Sequence, residues 1–196
     1  VEQRTLESLK FEYIKAGFQP EWDKDPYRVF VYTTLQERAT QYSHANTGRV
    51  IGEYEPLLGG VLAKVAMEEA RHFSLYRRMF TEILARDPSE ALRSALHIMP
   101  AIDMPGVTIP GFKEFADVIR RSGIYGPRDY LKIVQDQLAH WKIDALEGLD
   151  EFGRAAQEKL LEIPERLRRI ADLMETRSRT KTFAFDVAFA REFVME

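Results

Sequence analysis

Between Leu62 and Ile83 apolar residues recur at three- and four-residue steps, through Val65, Ala66, Phe73, Tyr76 and Phe80, and Glu69 falls on the same stripe. That spacing predicts a helix, one whose packed face carries a carboxylate. His72 lies one turn after Glu69 and flanks the same face. An ionised carboxylate pressed into a core costs on the order of several kcal/mol unless a counter-charge meets it. A Glu-x-x-His pair pointing inward from a helix is half of what a carboxylate-bridged pair of iron ions in a helix bundle requires. The chain must therefore bring a second element to this stripe with groups that neutralise or share the charge.

The helix before it offers such groups. Phe30, Thr33, Thr34, Glu37, Gln41 and His44 share one face, a polar one for an interior helix. Adjacent antiparallel helices, one giving Glu37 and the other Glu69 and His72, would supply three inward donors. There is no cysteine, so disulfides, thiolate catalysis and thiolate ligation are excluded. A metal here relies on carboxylates and imidazoles, which suits iron, manganese or zinc. Glu68 is placed to accept a hydrogen bond from an imidazole nitrogen and so orient a metal-bound ring. From pattern alone His44 reads as a hydrogen-bonded interior histidine. His97 and His140 lack carboxylates at matching offsets on an apolar face and read as structural.

The rest of the chain reads as helices. One covers residue 1 to about 17, and another opens at Asp25-Pro26 and fades near Gly48 to Gly52. The helix bearing Glu69 opens at Glu55-Pro56 and ends around Asp87-Pro88, after which Ser89 is the expected cap of a fourth. Met104 to Gly111, with two Pro-Gly pairs, is a loop. Helices follow from Phe112 to Ser122, from Pro127 to about Leu146, and from Gly153 to Glu175, the last kinked or divided at Pro164. Residues 180–196, with Phe183, Phe185, Phe189 and Phe193, read as a strand pair or a strapping tail. The expected fold is all-α, an antiparallel helix bundle over 1–196 as a single domain. A net charge of −3 argues against a nucleic-acid partner held by bulk electrostatics. No apolar run approaches the roughly 18 residues that span a bilayer. A start at Val1 inside a helical pattern suggests part of something longer.

Several motifs in register carry a resemblance. Thr33-Thr34-Leu35-Gln36-Glu37-Arg38-Ala39-Thr40, Ser43-His44-Ala45-Asn46-Thr47 and Glu68-Glu69-Ala70-Arg71-His72 are similar to segments of the soluble acyl-acyl-carrier-protein desaturases, the stearoyl-ACP desaturase family. Gly123-Ile124-Tyr125, Trp141-Lys142-Ile143-Asp144 and Ile163-Pro164-Glu165-Arg166-Leu167-Arg168-Arg169 continue it over most of the chain, as the carboxyl-terminal part of such a protein.

The resemblance implies a ferritin-like bundle with a di-iron centre that uses dioxygen and two electrons to place a cis double bond in an acyl chain. It implies Glu37, Glu69 and His72 as iron ligands, with His44 and Arg71 beside them. It implies Thr40 as a hydroxyl at the oxygen-binding face, and Glu68 where the family commonly has aspartate. Tyr27, Val29, Phe30 and Thr33 match the wall of the acyl channel. Val29 stands where familiar plant members have glycine, which implies a different preferred chain length or double-bond position. The implied partners are an acidic acyl carrier protein, with Arg166, Arg168, Arg169, Arg177, Arg179 and Lys181 as candidate docking cations, a ferredoxin-like electron donor, and a second copy in a homodimer. The implied location is the cytoplasm, or the plastid stroma if the source is a plant. The family uses two Glu-x-x-His units and two further glutamates, and only half of that set is found here. Two alternatives stay open: an iron-oxidising protein whose site is completed across a dimer, and a metal-free structural remnant.

Overall fold

The structure is a computed structural model and describes residues 3–18, 20, 24–102 and 104–179. Among them there are helices and turns and no strand. The helices are α1 (Gln3–Ala16), α2 (Pro26–Ile51), α3 (Pro56–Arg86), α4 (Pro88–Ile98), α5 (Phe112–Arg121), α6 (Pro127–His140) and α7 (Glu151–Arg179). Short 3-10 turns occupy Pro105–Thr108 and Ile143–Ala145. The all-α bundle expected from the sequence is present. The tail at 180–196 lies outside the described residues. No described helix is long and apolar enough to cross a membrane.

α2 and α3 form a long antiparallel hairpin, and glycine makes its tight end possible. A Cβ on Gly59 would lie 2.8 Å from the Gly52 Cα, and one on Gly48 would lie 3.1 Å from the Leu62 Cβ. Any side chain at Gly59 would push the two backbones apart. Farther along, the Phe30 and Tyr76 rings pack at 6.3 Å, and the Tyr27 hydroxyl donates to Asp87 Oδ2 at 3.0 Å.

α4, α6 and α7 pack together on the other side of α2. The core between these layers includes Val31 and Leu35 of α2, Phe80 of α3, Leu92 of α4, Ile133 and Val134 of α6 and Leu160 of α7, all fully buried. Burying a side chain of this size stabilises the fold by about 1.5–3 kcal/mol. Polar bonds fix how the layers meet. Tyr130 donates to the Met99 carbonyl at 2.8 Å, and Asn46 donates to the Ile124 carbonyl at 2.7 Å. α1 is peripheral and contacts the Pro105–Thr108 turn, with Phe11 and Ile14 exposed.

Three expectations need correction. Asp87, not Ser89, caps α4, because its carboxylate accepts from the Glu90 amide while Ser89 Oγ accepts from the Asp150 amide across the bundle. α6 stops at His140 rather than near Leu146, because Lys142 adopts a left-handed conformation (φ 48°) that a helix cannot continue through. α7 is not divided at Pro164 but continues through it as one helix. Leu160, Ile163, Leu167 and Ala171 on its buried stripe hold it against the bundle, which offsets the hydrogen bond that proline removes.

Candidate metal centre

The hairpin brings Glu37, Glu69 and His72 to one place, with a donor atom from each within 4.8 Å of the others. His72 Nδ1 stands 3.3 Å from Glu37 Oε2 and 3.7 Å from Glu69 Oε2. His44, two turns along α2 from Glu37, places its Nε2 3.7 Å from Glu69 Oε1. The antiparallel register is what makes these residues meet, since Glu37 lies midway along α2 and Glu69 and His72 midway along α3.

The two carboxylates are largely buried, with 14% of the Glu37 side chain and 19% of the Glu69 side chain exposed, whereas the His72 ring is 55% exposed. Burial first, and then the Glu69 carboxylate beside it, push the Glu37 carboxyl up to about 7, with His72 pulling in the opposite direction. Two carboxylates in one pocket resist full ionisation unless a proton or a cation joins them. Two oxygen donors and one imidazole suit iron, manganese or zinc, so the residues fit a metal. A four-helix carboxylate site takes a glutamate from each of two helices and a Glu-x-x-His from each of the other two. Glu37, Glu69 and His72 are one half of that.

Val61, Glu68, Leu75 and Met79 lie on the same stripe of α3 as His72, at helical offsets from it. Val61, Leu75 and Met79 are 49%, 54% and 43% exposed. The side of the cluster that His72 faces is thus a largely apolar helical surface, interrupted by Glu68, with no helix over it among the described residues.

The remaining sequence candidates occupy varied surroundings. Thr40 Oγ1 donates to the carbonyls of Gln36 and Glu37 at 3.1 and 3.0 Å, which ties it to its own helix. Glu68 is exposed and accepts from Arg71 Nη1 at 2.6 Å. It pairs with that guanidinium one turn on, and not with an imidazole. Tyr27, Val29, Phe30 and Thr33 are half-buried on the part of α2 that leads away from Glu37 toward α4. There Thr33 Oγ1 donates to the Val29 carbonyl at 2.8 Å. Of the candidate docking cations, Arg168 and Arg169 both pair with Glu165, and Arg166 is exposed. The side chains of Arg177, Arg179 and Lys181 lie outside the described residues.

Two arginines beside the site, Arg38 and Arg77, have no part in the sequence expectations. Their guanidinium carbons lie 4.8 and 4.7 Å from the centre of the buried Phe73 ring, and Arg38 also lies 4.8 Å from the Tyr42 ring. The available signal was Arg77 four residues after Phe73, a charge on the apolar stripe of α3.

Comparison with known proteins gives one consistent result. The sequence model of a family described as fatty acid desaturase matches residues 1–189. The chain is 33% identical to a chloroplastic stearoyl-acyl-carrier-protein 9-desaturase of Gossypium hirsutum, over 98% of this chain and 51% of the relative. It is 34% identical to such a 9-desaturase of Oryza sativa subsp. indica, over 91% of this chain and 49% of the relative. With a third, from Arabidopsis thaliana, the identity is 31% over 98% and 51%. The chain spans about half the length of the curated relatives it matches.

Proposed function

We propose, from the premise that this chain belongs to the acyl-acyl-carrier-protein desaturase family, that it forms half of the metal centre of a fatty-acyl desaturase. The reaction inserts a double bond into a saturated acyl chain carried on acyl carrier protein. The observation that carries the reading is the meeting of Glu37, Glu69 and His72 within 4.8 Å on adjacent helices.

A pair of iron ions, when bound, would supply the dioxygen chemistry needed to break an unactivated C–H bond, which acid–base groups alone cannot do. The chain's own residues hold and orient. Glu37 and Glu69 would hold the ions through their carboxylate oxygens, and His72 would give one ring nitrogen. His44, with its Nε2 3.7 Å from Glu69 Oε1, would orient that carboxylate. Thr40 sits one turn after Glu37, and its hydroxyl, which donates to the Gln36 and Glu37 carbonyls, would be the proton donor on that side. Tyr27, Val29, Phe30 and Thr33 would line the approach of the acyl tail, so that their bulk decides which carbons stop beside the ions. The remaining donors would come from a further helix pair laid over the apolar face around His72.

The protein as encoded by its gene, loaded with ferrous iron and given saturated acyl-acyl-carrier proteins, dioxygen and a reduced ferredoxin, should yield a cis-monounsaturated acyl chain by gas chromatography. Oxidation of ferrous ion with no alkene formed would overturn this reading in favour of an iron-oxidising protein.

A further inference from the structure

Two rings and two cations are linked along the hairpin in the order Tyr42, Arg38, Phe73, Arg77. The Arg38 guanidinium carbon lies 4.8 Å from the centre of the Tyr42 ring and 4.8 Å from that of Phe73, and the Arg77 guanidinium carbon lies 4.7 Å from the same Phe73 ring. α2 gives Arg38 and Tyr42, and α3 gives Phe73 and Arg77, each pair four residues apart, so each helix presents one cation and one ring on successive turns. Phe73 is buried, and the other three are half-buried. The half-buried Arg28, Arg93 and Arg120 pair with Asp25, Glu90 and Asp117. Arg38 and Arg77 form no ion pair among the described residues; Arg38 donates to the neutral Gln41 at 2.5 Å, and Arg77 Nε is buried without a partner. Rings rather than carboxylates hold these two charges.

The link that crosses from α2 to α3 is Arg38 on Phe73, and it adjoins the metal donors. Arg38 directly follows Glu37, and Phe73 directly follows His72, while Glu37 Oε2 and His72 Nδ1 stand 3.3 Å apart. Apolar packing is non-directional and tolerates a helix that slides a little along its neighbour. A planar guanidinium held over a ring face is satisfied at one register. Sliding α3 by one turn would bring Arg77 or Glu69 to the place of Phe73, since each lies four residues from it. Arg77 there would set cation against cation, and Glu69 there would give Arg38 a donor carboxylate to pair with. We propose that Arg38 and Phe73 are positioning residues of the metal centre, whose contact holds α2 and α3 in the register that sets Glu37 beside His72. This rests on the metal reading of Glu37, Glu69 and His72. The ring also holds the guanidinium without a further carboxylate, and so adds no negative charge to a pocket where two carboxylates already resist joint ionisation.

The test is Co²⁺ binding by the gene-encoded protein, followed by calorimetry and by the visible absorption of the bound ion, with neither iron nor acyl substrate present. Phe73→Leu refills most of the space and removes the ring face. It should weaken Co²⁺ binding about 10- to 100-fold, the usual cost of losing a group that orients a ligand, and shift the absorption bands. Phe73→Tyr keeps the ring and should retain the affinity of the natural protein. Phe80→Leu, at a fully buried ring about two turns further along α3, should lower the temperature of unfolding in chelator and leave Co²⁺ affinity and absorption unchanged. If Phe73→Leu does not fold, Arg38→Met, which keeps Phe73 and removes the guanidinium, gives the same contrast against Arg38→Lys. Unchanged Co²⁺ affinity and absorption in Phe73→Leu or Arg38→Met overturns the proposal. So does an equal loss of affinity in Phe80→Leu, which would reduce the effect to general loosening. Both results leave the metal reading standing, because the natural protein still binds the ion. Absence of Co²⁺ binding by the natural protein would overturn that reading, and the proposal with it.

Discussion

Replacing Glu37 by glutamine removes a charge that the fold resists, and the consequence can be worked out with its sign. The Glu37 carboxyl is raised from its ordinary 4.5 to about 7 by burial and by Glu69. In a dry pocket that interval would be worth at most about 3 kcal/mol. The neighbouring His72 ring is 55% exposed, so solvent enters from that side and screening reduces the effect to about 1–2 kcal/mol. Because the folded state raises the pKa, the protonated group's contribution is complete below about 4.5 and is lost as pH rises through about 7. The amide introduced by Glu37→Gln keeps the shape and cannot ionise. In urea unfolding followed by circular dichroism with chelator present, the stability of the natural chain relative to Glu37→Gln should fall by about 1–2 kcal/mol between about pH 5 and pH 8. Titrating groups away from the Glu37 pocket cancel in that difference, and Glu69 and His72, which act on Glu37, share in it. Adding a divalent metal near pH 7.5 should shift the comparison back toward the natural chain, since an ion bound by the folded state alone stabilises it. Parallel pH profiles for the two proteins would refute the reasoning and place the Glu37 carboxylate in water.

Two further changes test other parts of the structure. Asp87→Ala removes both the acceptor for the Glu90 amide and the partner of the Tyr27 hydroxyl, and should cost about 1–2 kcal/mol in thermal unfolding; Asp87→Asn should recover much of it. Val29→Gly in the gene-encoded protein should lengthen or straighten the acyl approach and shift the preferred chain length or double-bond position. An unchanged product pattern across a series of acyl chains would remove Val29 from the channel wall.

The sequence reveals the helical order and the convergence at Glu37, Glu69 and His72 because both follow from local periodicity. A carboxylate on an apolar stripe is visible without coordinates, and so is a polar face on the helix before it. Competing local signals are harder to rank. Asp87 and Ser89 are both good caps, and the contest is settled by Ser89 binding the Asp150 amide 61 residues away. Pro164 ordinarily marks a break, yet the stripe of Leu160, Ile163, Leu167 and Ala171 outweighs it, because its burial against the bundle, which the spacing alone does not reveal, holds the helix together. Lys142 adopts a conformation that composition does not favour. The Phe73 sandwich joins residues of two helices whose spacing in sequence says nothing of their contact. Glu68 shows the converse: its place beside the donors suggests an imidazole partner, while the nearest cation on its own exposed face is Arg71.

The glycine contact at the hairpin's closed end has a consequence at long range. A Cβ on Gly59 would also lie 3.3 Å from the Gly48 carbonyl oxygen, and Glu37 lies 11 residues before Gly48 while Glu69 lies 10 residues after Gly59. At 1.5 Å of rise per residue the two arms measure about 16 and 15 Å, matched like the legs of a drafting compass. The pivot fixes how far apart the points stand. A single methyl group at Gly59, more than a dozen or so ångströms along the helix from any donor, would open the legs and slacken their grip on a cation without altering a ligand.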